Sequence, residues 1–131
     1  MTPVLIDTPV WRDYFAGRNP ELGDRVDELI AQKLARISDA ALQEILSQAA
    51  DPAACDRLAE ALLGVRVSID SAAAAVLAGR IACRLRSEGL TLPPLRALSA
   101  AAAVAAHLPL LTTDHTLHAV ARCFPLKILC A

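Results

Sequence analysis

Short apolar runs alternate along the chain with longer stretches in which apolar positions recur at helical spacing. Val4–Ile6 reads as a buried strand that ends on Asp7, and Thr8–Ala16 as a helix stopped by Gly17. Pro20 opens a second helix, to about Arg36, whose Leu22, Val26, Leu29, Ile30 and Leu34 make one buried stripe. After the short segment Arg36–Ser38, a helix is expected over Asp39–Ala50, with Leu42, Ile45 and Leu46 inward and Glu44 at the border of that face. Asp51 and Pro52 start another, to about Leu63, and Val65–Val67 is a candidate strand. A long helix over Ile69–Glu88, capped by Gly89, precedes an Ala-rich helix over Leu95–His107. The pattern closes with a strand at Leu110–Thr112, a helix from Asp114 to Cys123 and a last strand at Leu126–Leu129.

Strands separated by helices throughout predict an α/β fold with a mainly parallel central sheet covered by helices, in a single domain over residues 1–131. Composition narrows the kind of core. Hydrophobic residues make up 55% and aromatics only 3%, so Ala, Leu, Val and Ile must fill the interior, which suits helices packed closely on a sheet. A net charge of -1 excludes a generally basic nucleic-acid coat, and any such contact must come from a local patch. Cys55, Cys83, Cys123 and Cys130 show no C-x-x-C pair and no secretory signal precedes them, so free thiols in a reducing cytoplasm are expected. The apolar stretch Leu98–Leu111 is broken by His107 and Pro109 and is too short to span a bilayer, so no membrane partner is expected.

Candidate chemistry sits where strands meet helices. Asp7 and Asp114 each follow an apolar strand at the mouth of a helix, so parallel strands would place both at one edge of the sheet, where α/β folds bind ligands. Helix capping by Asp7 or Thr8 is the ordinary alternative, and the two roles are compatible. Arg80 and Arg84 lie one turn apart on the long helix, either simply solvated or facing phosphates, with Arg86 nearby. His115 and His118 lack the spacing of a zinc motif and read as surface before they read as ligands. The first strand-to-helix turn holds no glycine, which speaks against a phosphate loop.

Three blocks, VLIDTPVWRDYF, SDAALQEIL and RSEGLTLPPLRALSAAAAVAAHLPLLTTDHTL, occur in the order found in PIN domains. The chain resembles that family over nearly its whole length, and most of all the VapC-type toxins of type II toxin–antitoxin operons. Thr8 and Trp11 agree with the family's opening, while Pro9 stands where Ser is common. The resemblance implies a three-layer α/β/α fold and an endoribonuclease that holds Mg2+ or Mn2+ in a carboxylate cluster. It assigns Asp7, Glu44 and Asp114 as catalytic and metal-binding residues, with Thr8 and Thr112 in support. Hard divalent ions favour carboxylate oxygen, and a metal-bound water is a usable nucleophile against a phosphodiester. RNA, a cognate antitoxin and a second copy of the chain are the implied partners, with Arg12, Arg80 and Arg84 as possible phosphate contacts.

One position departs from the pattern. The family usually carries a further acid at the start of the Ala-rich helix, and this chain has Arg96 there, with Thr116 also standing where many relatives have Asp. Replacing a -1 by a +1 charge about 6 Å from a divalent ion costs about 3 kcal/mol at water-like dielectric and about 11 at an effective dielectric near 20. A site of millimolar affinity holds only about 4 kcal/mol. The expectation is that the guanidinium pairs with Asp7, Glu44 or Asp114 in place of the metal's charge. A catalytically degenerate PIN module that binds RNA or a protein partner is therefore the alternative function.

Overall fold

The computed structural model of the chain describes residues 1–68 and 71–130. Its elements run β1 Val4–Ile6, α1 Thr8–Ala16, α2 Pro20–Ala31, β2 Ala35–Ser38, α3 Asp39–Ser47, α4 Pro52–Ala61, β3 Arg66–Ser68, α5 Ala72–Ser87 and α6 Pro94–Ala106. They continue with β4 Leu110–Thr112, a 3-10 turn at His115–Leu117, α7 His118–Ala121 and β5 Ile128–Cys130. Helix starts follow side-chain chemistry: Asn19, Ser38, Asp51 and Ser71 each accept a backbone N–H of the first turn of the helix they cap. Pro in the first turn of α1, α2, α4 and α6 occupies a position whose N–H would have no helical partner.

The sheet has the order β3-β2-β1-β4-β5, with every neighbouring pair parallel. Register puts Leu5 between Arg36 and Leu110, and Val4 beside Ala35. Side chains alternate faces, so Leu5 and Leu110 point into a cluster built on α5 and α6, while Val4, Ile6, Ile37 and Leu111 point into a second cluster with Trp11, Leu22 and Val26 of α1 and α2. A sheet covered on both faces explains why β1 and β4 are apolar runs rather than alternating ones. The result is the three-layer α/β/α arrangement expected from the sequence. No helix among the described residues is long and apolar enough to cross a membrane.

Several boundaries differ from the pattern reading. The helix expected to reach Arg36 ends at Ala31: Lys33 enters the left-handed region at φ 60°, the Leu34 N–H returns to Leu29 O at 2.9 Å, and Ala35 starts β2. Leu34 stands at helical spacing by coincidence. The helix expected over Asp114–Cys123 is a 3-10 turn followed by the four-residue α7. Ile69, expected to start the long helix, lies outside the described residues, and α5 begins after Ser71. The last strand runs from Ile128 to Cys130 rather than from Leu126 to Leu129.

Candidate functional site

Asp7 leaves the end of β1 and caps α1 in one step. Its N–H donates to Leu111 O at 3.0 Å, which stitches it to β4, and its Oδ1 accepts the Thr8 N–H at 2.9 Å. Trp11 fixes the helix behind it by donating its Nε1–H to Ile6 O at 3.1 Å. Capping and cleft position therefore coexist at Asp7. The Thr8 hydroxyl, fully buried, has no hydrogen-bond partner among the described residues, so only the backbone of Thr8 supports the carboxylate.

Thr112 and Asp114 come from the end of β4, the parallel neighbour of β1. Thr112 Oγ1 donates to Asp7 Oδ2 at 2.8 Å and accepts the Asp114 N–H at 3.0 Å, linking the two acids through one hydroxyl. Asp114 Oδ1 takes the Thr116 N–H at 3.0 Å and the Thr116 hydroxyl at 2.6 Å. Sequence reasoning missed that role of Thr116. The spacing Asp-x-Thr at a helix start was the available signal, because a capping Asp accepts from the residue two positions on.

Arg96 reaches this pair from the first turn of α6. Its Nη1 donates to Asp7 Oδ1 at 3.0 Å, its Nη2 to Asp7 Oδ2, and its Nε to Asp114 Oδ2 at 2.9 Å. The Arg96 side chain is 16% exposed and that of Asp7 fully buried, so the fork sits as a lid over the Asp7 carboxylate. Burial works to lower the Arg96 pKa, but the bonds and charges of Asp7 and Asp114 outweigh it and hold the group above its ordinary value. Burial likewise pushes Asp114 up, yet the Thr116 hydroxyl and Arg96 leave it below the usual carboxylate range. Both remain charged at neutral pH.

Glu44 stands on α3 across the cleft and pairs with Arg12 of α1 at 3.8 Å rather than with Arg96. Pro9, Arg12, Glu44, Arg96 and Asp114 line an open cleft of about 210 Å³, with Asp7 beneath Arg96. Other hollows are larger, among them one of about 310 Å³ between Lys33, Arg36 and Arg66 and one of about 570 Å³ beside Phe15 and Ile45. The cleft is singled out by its chemistry, not its size. Arg80 and Arg84 lie on the exposed side of α5 outside the cleft lining, with Arg84 held by Glu88 at 3.4 Å. His115 and His118 stack on one another, ring centroids 6.0 Å apart.

These residues do not fit a divalent ion in this arrangement. Each oxygen of Asp7 already accepts two hydrogen bonds, which uses all of the roughly four acceptor sites of a carboxylate. Asp114 accepts three, leaving little beyond Glu44 to offer an ion that takes about six oxygens, and a fixed guanidinium charge stands between them. Among the described residues no three of His, Cys, Asp and Glu converge closely enough to hold a metal ion.

Comparison with known proteins places the fold. The chain is similar to one in VapBC2 from Rickettsia felis, solved with a DNA fragment from its promoter, at TM-score 0.80 and 16% identity over 98% of both chains. It is similar to one in DNA-bound VapBC from Salmonella typhimurium at TM-score 0.80 and 19% identity, covering 99% of this chain and 98% of that one. FitAcB from Neisseria gonorrhoeae gives TM-score 0.71 at 17% identity over 96% of both chains. No curated protein matches the chain significantly by sequence. The profile of the PIN domain matches residues 4–122, so with its parallel five-stranded sheet and the acids at the ends of β1 and β4, the chain belongs to the PIN domain family.

Proposed function

We propose that this PIN domain is the VapC-like member of a toxin–antitoxin pair, held by an antitoxin protein and directed at RNA, and that as folded it binds without metal-driven cleavage. The observation that carries the proposal is the Arg96 guanidinium bonded to Asp7 and Asp114, where the family's carboxylate chemistry needs free oxygen donors. The fold likeness to chains of VapBC and FitAB assemblies supports the antitoxin partner. Arg12, which lines the cleft, is the phosphate contact favoured by position; Arg80 and Arg84 would serve only an RNA long enough to reach α5. A homodimer through apolar helix surfaces belongs with the same proposal, and Val76 on α5 is an exposed apolar position available to it.

A second function, an Mg2+- or Mn2+-dependent endoribonuclease, is favoured by Glu44. That carboxylate faces the cleft without bonding Arg96, so an outward swing of the Arg96 side chain would leave Asp7, Glu44 and Asp114 open together. RNA incubated with each metal decides between them. Binding alone predicts the same background cleavage for wild type and Asp7→Ala. Cleavage by wild type that is lost in Asp7→Ala establishes the nuclease and overturns the binding-only function. Co-purification with the product of the adjacent reading frame tests the antitoxin separately.

A further inference from the structure

We infer that Arg96 is a tethered substitute for the divalent ion, and that this one side chain is what keeps a latent metal site closed. The inference deepens the proposed function and rests on its view of the acidic cleft. Three features of the geometry carry it.

First, the guanidinium uses three different nitrogens on two acids that come from different strands, Nη1 and Nη2 on Asp7 and Nε on Asp114. A contact of that kind bridges β1 and β4 as a coordinated ion would, whereas an ordinary surface pair joins two residues only. Second, the cation stands in an unfavourable local place. Arg96 lies in the first turn of α6, the positive end of the helix dipole, where no side chain caps the helix and an acid is the expected occupant. Local helix chemistry gives no reason for Arg there; the two carboxylates do. Third, the carboxylates are prepared independently of Arg96. The Thr8 N–H and the Thr112 hydroxyl of the neighbouring β4 aim Asp7, and Thr116 aims Asp114, so the anionic groups are oriented by bonds that do not involve Arg96. Removing the guanidinium frees one acceptor position on each Asp7 oxygen and leaves Asp114 Oδ2 free as well. Glu44 already faces the same cleft.

Arg96→Asp therefore opens the site and adds a fourth carboxylate at the start of α6. Manganese binding followed by calorimetry tests this without any RNA. Wild type is expected to show no Mn2+ binding at millimolar ion, and Arg96→Asp to bind at least about a hundredfold more tightly, the lower limit set by the charge reversal. Thermal melts give a second reading: Mn2+ should raise the midpoint of Arg96→Asp and leave wild type unchanged. Should Arg96→Asp fail to fold, Arg96→Gln removes the charge without adding an acid and should bind Mn2+ more tightly than wild type. Mn2+ binding to wild type as tight as to the variant overturns the inference, and so does a folded variant that binds none. RNA cleavage is scored separately, so a metal-binding variant that cuts no RNA fails the nuclease function and leaves the closed metal site standing.

Discussion

At the residue scale the decisive contact is a buried acid under a partly buried cation. Asp7 is 2% exposed, and no other cation pairs with it among the described residues. Removing one partner of such a pair strands a charge away from water, which costs more than the pair contributes in net stability. Arg96→Met is expected to destabilise the fold by about 3 kcal/mol, the low end of the range because the Arg96 edge meets solvent. Adding Asp7→Asn in the same chain keeps a capping side chain at the start of α1 and should recover more than half of that loss. Urea unfolding of the two single variants and the double variant measures it, and a double variant as unstable as Arg96→Met would show that Asp7 is not the stranded charge. Much of this site was legible beforehand. An acid after an apolar run marks a strand end, and two such junctions in a parallel sheet must share an edge, so Asp7 and Asp114 were placed by pattern alone. The choice of Arg96's partners was not legible. Asp7, Glu44 and Asp114 were equal candidates by charge, and only the path of α6 over β1 and β4 brings the fork to two of them and leaves Glu44 to Arg12.

At the element scale, the same substitution has opposite signs at two glycines. Gly17 ends α1 at φ 66° with its N–H donated to Tyr14 O at 3.2 Å, while Gly23 lies inside α2. A Cβ would meet nothing within 4 Å at either place, so backbone conformation alone sets the outcome. Gly17→Ala is expected to cost about 1 kcal/mol through left-handed strain, and Gly23→Ala to stabilise by about 1 through helix propensity. Chemical denaturation of both reads the signs directly, and a stabilising Gly17→Ala would contradict the cap geometry. Glycine also explains which boundaries were visible in the sequence. Gly17 and Gly89 end α1 and α5 where a left-handed residue was expected. The end of α2 was missed because Lys33 performs that turn without glycine, and apolar Leu34 extends the helical spacing past it. The chain entering β2 is shaped by the Leu34 return bond and by pairing with β1, neither of which local spacing encodes.

At the scale of the whole molecule, Arg96 is positioned by how α6 docks rather than by any local bond of its own helix. α5 and α6 form the most extensive helix pairing in the fold, and α6 lays Ala97 and Ala100–Ala103 against the sheet and α5 with little or no exposure. Small side chains let the helix approach closely, and close approach brings its first turn over the ends of β1 and β4. Enlarging one of those contacts should therefore loosen the site from a distance. Ala103→Leu, about two turns from Arg96, is expected to cost 1–3 kcal/mol (roughly) by overpacking. It should also shrink the Arg96–Asp7 coupling energy measured by a double-mutant cycle, because a lifted helix carries the guanidinium away from the carboxylate. A coupling energy unchanged in the Ala103→Leu background would mean that the ion pair holds itself together, with α6 following the arginine rather than aiming it.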